Sequence, residues 1–213
     1  MTAAPVNRWT EAAWAKRYLN ERDDLPHRME GFAVLMELLP SAPRRVLDLG
    51  TGDGYTLGLV RSVHPEAEGI GIDFSAEMLG RARERFAGEP GIEIIEHDLD
   101  QPLPSLGRYD LVVSSFAIHH CVDKRKRALY GEVFDVLEPG GRFLNLEHVD
   151  SPTPELHEEF LAAIGKTPAE DDPSNKLVDV ETQLGWLRDI GFVDVDCFWK
   201  WREVALLAGV KPD

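Results

Sequence analysis

Between residues 45 and 150 the apolar positions fall into short unbroken runs separated by stretches of helical spacing, the alternation expected of a parallel sheet covered by helices on both faces. Arg45 to Leu49 reads as the first strand, 53–63 as a helix and 69–73 as the second strand. Ser75 stands as the N-cap of a helix over 77–86, in which Met78, Leu79 and Ala82 share a face. A third strand is expected at 91–95. The run 111–116 is apolar at successive positions, so it belongs at the centre of the sheet. A helix over 123–137 turns Leu129, Val133 and Val136 or Leu137 inward, and Pro139-Gly-Gly141 then leads into a fifth strand at 142–149.

The flanks follow other patterns. Two helices are expected in the first forty residues, one carrying Trp9, Trp14 and Tyr18, the other carrying Met29, Phe32, Leu35 and Leu39 with Pro26 in its first turn. Between 151 and 178, Pro152, Pro154, Pro168 and Pro173 surround a short helix and a polar loop at Glu170-Asp-Asp172, which reads as an insertion rather than a second domain. A helix over 180–190 stops at Gly191, and 192–198 alternates in strand fashion. A last strand at 204–210 lies close enough in sequence to pair with it as an antiparallel hairpin.

Chemistry enters where the first strand breaks. Gly50, Gly52 and Gly54 alternate with other residues, allowing a tight strand-to-helix turn and close approach of a ligand to bare backbone. Asp48, Asp73 and Asp98 recur every 25 residues, about the chain length of one strand, one helix and the next strand. Three acids are thereby expected at the ends of three neighbouring strands. Asp73, 19 residues past Gly54, is placed to bind ribose hydroxyls.

The sequence here resembles the class I S-adenosylmethionine-dependent methyltransferases. The resemblance rests on the Val46–Gly54 run, Gly71-Ile-Asp-Phe-Ser75, His97-Asp-Leu99, Tyr109-Asp-Leu-Val-Val113 with the following Ser-Ser-Phe-Ala-Ile-His-His120, and Leu137-Glu-Pro-Gly-Gly141. A nicotinamide-dependent oxidoreductase also carries glycines after strand one and an acid after strand two. Against it stand the G-x-G-x-G spacing, Asp48 immediately before the loop, and the third acid, Asp98. The resemblance implies an α/β fold with a Rossmann-like, doubly wound, seven-stranded sheet, mostly parallel, closed by the antiparallel hairpin and covered by N-terminal lid helices.

It also implies S-adenosyl-L-methionine as cofactor and S-adenosyl-L-homocysteine as product. The cofactor site would draw on Asp48, Gly50, Thr51, Gly52, Leu99 and Ser115 from the motifs, with Asp73 on the ribose and Asp98 accepting from the adenine amino group. Phe74 and Met78 would flank the adenine, while Tyr18 and Arg28 of the lid would reach the methionine tail, whose carboxylate suits a guanidinium. Methyl transfer from a sulfonium depends mainly on positioning, and an acceptor that must lose a proton needs a base as well. His120 is the first candidate at the acceptor; His119 is expected near the cofactor, and His148, beside Glu147, at the end of strand five. Trp14, Phe160 and Leu161 are candidate walls of the acceptor pocket.

Length and charge narrow the rest. With 213 residues the chain fits one methyltransferase domain: 1–40 as lid, 41–150 as cofactor core, 151–178 as insertion near the acceptor, 179–213 as last helix and hairpin. The formal net charge of −15, from 23 basic and 38 acidic residues, repels a phosphate backbone. Lys124-Arg-Lys-Arg127 is the one basic block and reads as a solvated helix face. A small-molecule acceptor, methylated on O, N or C, is therefore favoured; a tRNA or protein methyltransferase and a non-catalytic cofactor-binding protein are the alternatives. Cys121 and Cys197 lie far apart, and His-His-Cys in sequence is not ligand spacing, so no disulfide framework or metal site is expected. No secretory h-region or membrane-length apolar run occurs, which points to the cytoplasm. Monomer and homodimer both remain open.

Overall fold

A computed structural model describes residues 25–213; Trp14, Tyr18 and the first expected helix lie outside the described residues. The described chain starts with α1 (Arg28–Glu37) and continues through β1 (Arg45–Leu49), α2 (Tyr55–Val63), β2 (Glu68–Asp73), α3 (Ala76–Arg85), β3 (Ile92–Glu96) and β4 (Tyr109–Ser115). It then forms α4 (Asp123–Val136), β5 (Leu137–His148), α5 (Pro154–Ala163), α6 (Val180–Ile190), β6 (Val193–Trp201) and β7 (Val204–Val210). Strand order is β3-β2-β1-β4-β5-β7-β6, with β7 alone running against its neighbours. This is the Rossmann-like sheet, parallel but for the closing hairpin.

Alternating strand positions feed two cores. Val46, Leu111, Val113, Leu144 and Leu146 meet α1, α2 and α5 through Phe32, Leu57 and Phe160. Leu47, Leu49, Val112 and Phe143 point the other way, toward Leu129, Tyr130 and Val133 of α4 and Leu187 of α6. Leu111, Val112 and Val113 are all completely buried, which explains the unbroken apolar run at the sheet's centre. Parallel strands also end together, so the loops after β1, β2, β3 and β4 emerge on one edge.

Several local expectations are corrected. Pro26 precedes α1 instead of sitting in its first turn, because His27 adopts φ +61° as the N-cap. Ser75 is the N-cap of α3, but its hydroxyl makes no capping bond; its backbone N–H donates to Asp73 Oδ1 at 2.8 Å instead. The fifth strand begins at Leu137, not 142: Tyr109 pairs with Leu137 and Leu111 with Arg142, so the Pro-Gly-Gly segment is an irregularity inside the strand. β6 extends to Trp201 through two register shifts, which break the alternation that marks its first half. Phe160 and Leu161 are core residues under α5 and do not line the cleft described below.

The basic block is a solvated face only in part: Lys124 and Arg127 are exposed, while Arg125 and Lys126 turn inward. Lys126 is buried and donates through Nζ to Asp123 Oδ1 at 3.2 Å and to the Lys176 carbonyl, while Arg125 holds Glu132 and the carbonyls of Leu99 and Gln101. Arg127 pairs with Asp189. Among the described residues no helix is long and apolar enough to cross a membrane.

Candidate functional site

A cleft of about 850 Å³, counted out to its open mouth, lies over the carboxyl ends of β1, β2 and β4. Its floor is the turn after β1, where Gly50, Gly52 and Gly54 have φ of +66°, +55° and +79°. Two of these glycines have distinct reasons. A Cβ on Gly50 would sit 2.1 Å from the Ala117 Cβ, so the turn and the segment after β4 touch there. A Cβ on Gly52 would meet nothing within 4 Å, so this backbone faces the cleft bare.

Side chains beneath the turn fix it. Thr51 donates its hydroxyl to Asp48 Oδ2 at 2.7 Å and its N–H to the Ile72 carbonyl at 2.9 Å, tying the turn to β1 and β2. Asp48 is fully buried, does not line the cleft, and its Oδ1 has no hydrogen-bond partner among the described residues. Asp48 therefore braces the turn from below. Burial pushes its pKa from 3.8 to about 7, against the Thr51 hydroxyl, which favours the ionised form.

A raised folded pKa fixes the sign of a pH effect. The stabilising contribution of Asp48 is complete below its ordinary pKa and is lost as pH rises through about 7. Asp48→Asn has no such loss, so its stability relative to the parent should rise across this window, by at most about 1.4 kcal/mol per pH unit. Urea midpoints measured at pH 5 and pH 8 for both proteins check this; a constant difference between them rejects it.

Asp73 ends β2 and lines the cleft. Its Oδ2 accepts the Gly52 N–H at 2.9 Å and its Oδ1 the Ser75 N–H at 2.8 Å, so one carboxylate positions both the glycine turn and the start of α3. Burial raises its pKa, and the backbone donors oppose that rise. Phe74 and Met78 also line the cleft, as do Asp98 and Leu99 after β3. His97 also lines the cleft, with Nε2 buried and without a hydrogen-bond partner among the described residues, and sequence reasoning did not single it out. Ser115 lines the cleft with its hydroxyl 2.7 Å from that of Thr56.

Arg28 projects from α1 into the cleft. Its guanidinium lies 4.6 Å from the Phe32 ring centroid and 5.0 Å from that of Tyr55, a planar cation seated on aromatic faces. Tyr55, the first residue of α2, is a further lining residue that the sequence reading missed, although it directly follows the glycine turn.

The two adjacent histidines separate as their sequence position requires. They lie in a short 3-10 turn over Ile118–His120. His120 lines the cleft, whereas His119 points inward, 6% exposed. His119 Nδ1 lies 2.5 Å from Glu147 Oε1, which also accepts the His148 N–H at 2.8 Å; Glu147 Oε2 has no partner among the described residues. Burial lifts Glu147 to about 7 and holds His119 well below 6.5. The His119 and His120 ring centroids lie 4.0 Å apart, with the rings tilted by 46°. His148 does not line the cleft: its Nε2 meets Glu203 Oε2 at 3.0 Å, and Glu203 also meets His157 at 2.9 Å.

A family model described as a methyltransferase domain matches residues 46–141, the span from β1 into β5. A demethylmenaquinone methyltransferase of Clavibacter sepedonicus is 30% identical over 201 residues, covering 84% of this chain and 78% of its own length. One of Thermus thermophilus, also a demethylmenaquinone methyltransferase, is 38% identical over 139 residues, covering 64% of this chain. That match spans 60% of the Thermus protein, less than two thirds of its length. Among solved structures, an O-methyltransferase family protein from Burkholderia thailandensis superposes with a TM-score of 0.74 at 22% identity, over 97% of this chain and 62% of its own. The last likeness is one of fold.

Proposed function

The chain belongs to the class I S-adenosylmethionine-dependent methyltransferases, and from that membership we propose that it moves a methyl group from S-adenosylmethionine to an O, N or C atom of a small-molecule acceptor. The observation that carries the reading is one cleft whose lining gathers the bare backbone of Gly52 with Asp73, Asp98 and His120. These residues fit the cofactor.

In this reading Asp73 takes the ribose hydroxyls on the lone pairs that Gly52 and Ser75 leave open, and Asp98 accepts from the adenine amino group. Phe74 and Met78 border the adenine, and Arg28 holds the terminal carboxylate. When bound, the cofactor supplies an electrophilic methyl group on a cationic sulfur. The chain's own part is to hold the acceptor in line and, where a proton must leave, to accept it. His120 lines the cleft and is the candidate to accept that proton; burial, then the neighbouring His119, lowers its pKa to about 3, so the ring is neutral at physiological pH although only a weak base. His119 and Glu147 back it from behind, and His148 belongs to the Glu203 cluster beyond them.

Engagement of Arg125 and Lys126 in internal contacts, which leaves only Lys124 and Arg127 of the block exposed, supports a small acceptor over tRNA or protein. Demethylmenaquinone heads the panel, because the two relatives described above are named as demethylmenaquinone methyltransferases. The test is transfer of label from methyl-labelled S-adenosylmethionine to a panel of metabolites. His120→Ala should lower turnover about a hundredfold with the cofactor Kd within about threefold of the parent. Equal turnover in the variant removes the base; cofactor binding with no transfer to any panel member favours the non-catalytic reading.

A further inference from the structure

We propose that Ser174 and Asp172 form a positioning relay that fixes His120 as the neutral tautomer with hydrogen on Nδ1 and its basic lone pair on Nε2. The inference rests on the reading of His120 as the residue that meets the acceptor.

Donors and acceptors around the ring decide the tautomer. His120 Nδ1 lies 3.4 Å from the Ser174 carbonyl oxygen and 3.2 Å from the Ser174 hydroxyl oxygen. A carbonyl only accepts. The hydroxyl has a single proton, and it lies 2.8 Å from Asp172 Oδ1, which also accepts the Ser174 N–H at 2.9 Å. Asp172 is ionised: burial opposes its charge, but its pKa is lowered, with the Ser174 N–H and hydroxyl donating to it. An ionised carboxylate accepts and cannot donate, so the serine proton belongs to Asp172. Both atoms facing Nδ1 are then acceptors, and Nδ1 must carry the hydrogen. In a neutral imidazole the lone pair is left on Nε2.

The relay is anchored at both ends. Lys176, two residues beyond Ser174, donates its N–H to the His119 carbonyl at 3.0 Å and its Nζ to the His120 carbonyl. The buried Lys126 Nζ holds the Lys176 carbonyl in turn. Pro173 fixes φ between Asp172 and Ser174. The ring of His119, itself held by Glu147, lies 4.0 Å from that of His120 at a tilt of 46°. The segment 171–178 thus packs against the turn that carries both histidines and supplies what a base needs besides its pKa, a defined orientation and tautomer.

Nitrogen-15 NMR of the histidine ring nitrogens tests this without knowledge of the acceptor. In the parent, His120 is expected to show a protonated-type signal at Nδ1 and an unprotonated-type signal at Nε2, with or without S-adenosylhomocysteine. Ser174→Ala should draw the two signals together as the tautomers mix, and Ser174→Thr, which restores a hydroxyl, should return them toward the parent pattern. A parent His120 with hydrogen on Nε2, or Ser174→Ala signals identical to the parent, overturns the relay. Calorimetry with S-adenosylhomocysteine on the same proteins separates the two ideas: absence of binding to the parent defeats the cofactor reading, while the ring signals still decide the relay.

Discussion

Replacing Asp73 with alanine is expected to remove measurable S-adenosylmethionine binding at concentrations that saturate the parent. The carboxylate has two roles. It accepts from Gly52 and Ser75, which sets the glycine turn and the start of α3, and it presents its remaining lone pairs to the ligand. Each hydrogen bond to a charged group contributes about 1.5–3 kcal/mol, so loss of a pair of ribose contacts amounts to about 3–6 kcal/mol. That corresponds to a Kd weaker by about a hundredfold to ten-thousandfold.

Asp73→Asn distinguishes the two roles. An amide keeps one acceptor oxygen but substitutes donors for the other, so it can satisfy Gly52 or Ser75 but not both, and affinity should fall to an intermediate value. Isothermal calorimetry measures each Kd, and urea midpoints show whether the turn has been lost as well. A Kd for Asp73→Ala within threefold of the parent would sink the assignment of this residue to the cofactor.

What the sequence made legible was local. The strand ends, the glycine turn, Asp73 at the end of β2 and Asp98 after β3 lie within a few residues of strong apolar runs, and strand polarity gathers them on one edge, whereas Asp48, inside β1, is buried beneath the turn. Partners of the histidines were not legible. Glu147 lies 28 residues from His119 and Ser174 lies 54 from His120, and each arrives on another element with no periodicity to announce it. Charge patterning misled at Lys126: four successive basic residues suggest solvent, yet the ammonium is buried because Asp123 and the Lys176 carbonyl accept its protons. Glu203 was missed for the same reason, since only the hairpin turn brings it against His148 and His157.

The contact between the two ligand loops yields the other large effect. Gly50→Ala places a Cβ 2.1 Å from that of Ala117 on a backbone with φ +66°. A left-handed non-glycine residue costs about 1–3 kcal/mol, and overpacking adds about 1–3 kcal/mol, so a loss of about 2–6 kcal/mol in stability is expected. Relief requires Ala117 to move. Ala117 directly precedes the turn that carries His120, and Ser114 ties the same strand end to the Leu49 carbonyl at 2.9 Å, so the strain passes to both halves of the cleft. Gly52→Ala behaves differently, because its Cβ enters open space: stability should fall by about 1–3 kcal/mol, from φ alone, while the methyl group obstructs the ligand. Urea midpoints should therefore rank Gly50→Ala below Gly52→Ala. The double change Gly50→Ala with Ala117→Gly should recover the overpacking part, since the nearest remaining atoms would be the residue 117 Cα at 3.6 Å and a Leu99 methyl at 3.8 Å. If Ala117→Gly restores nothing, the two loops are not coupled through this contact.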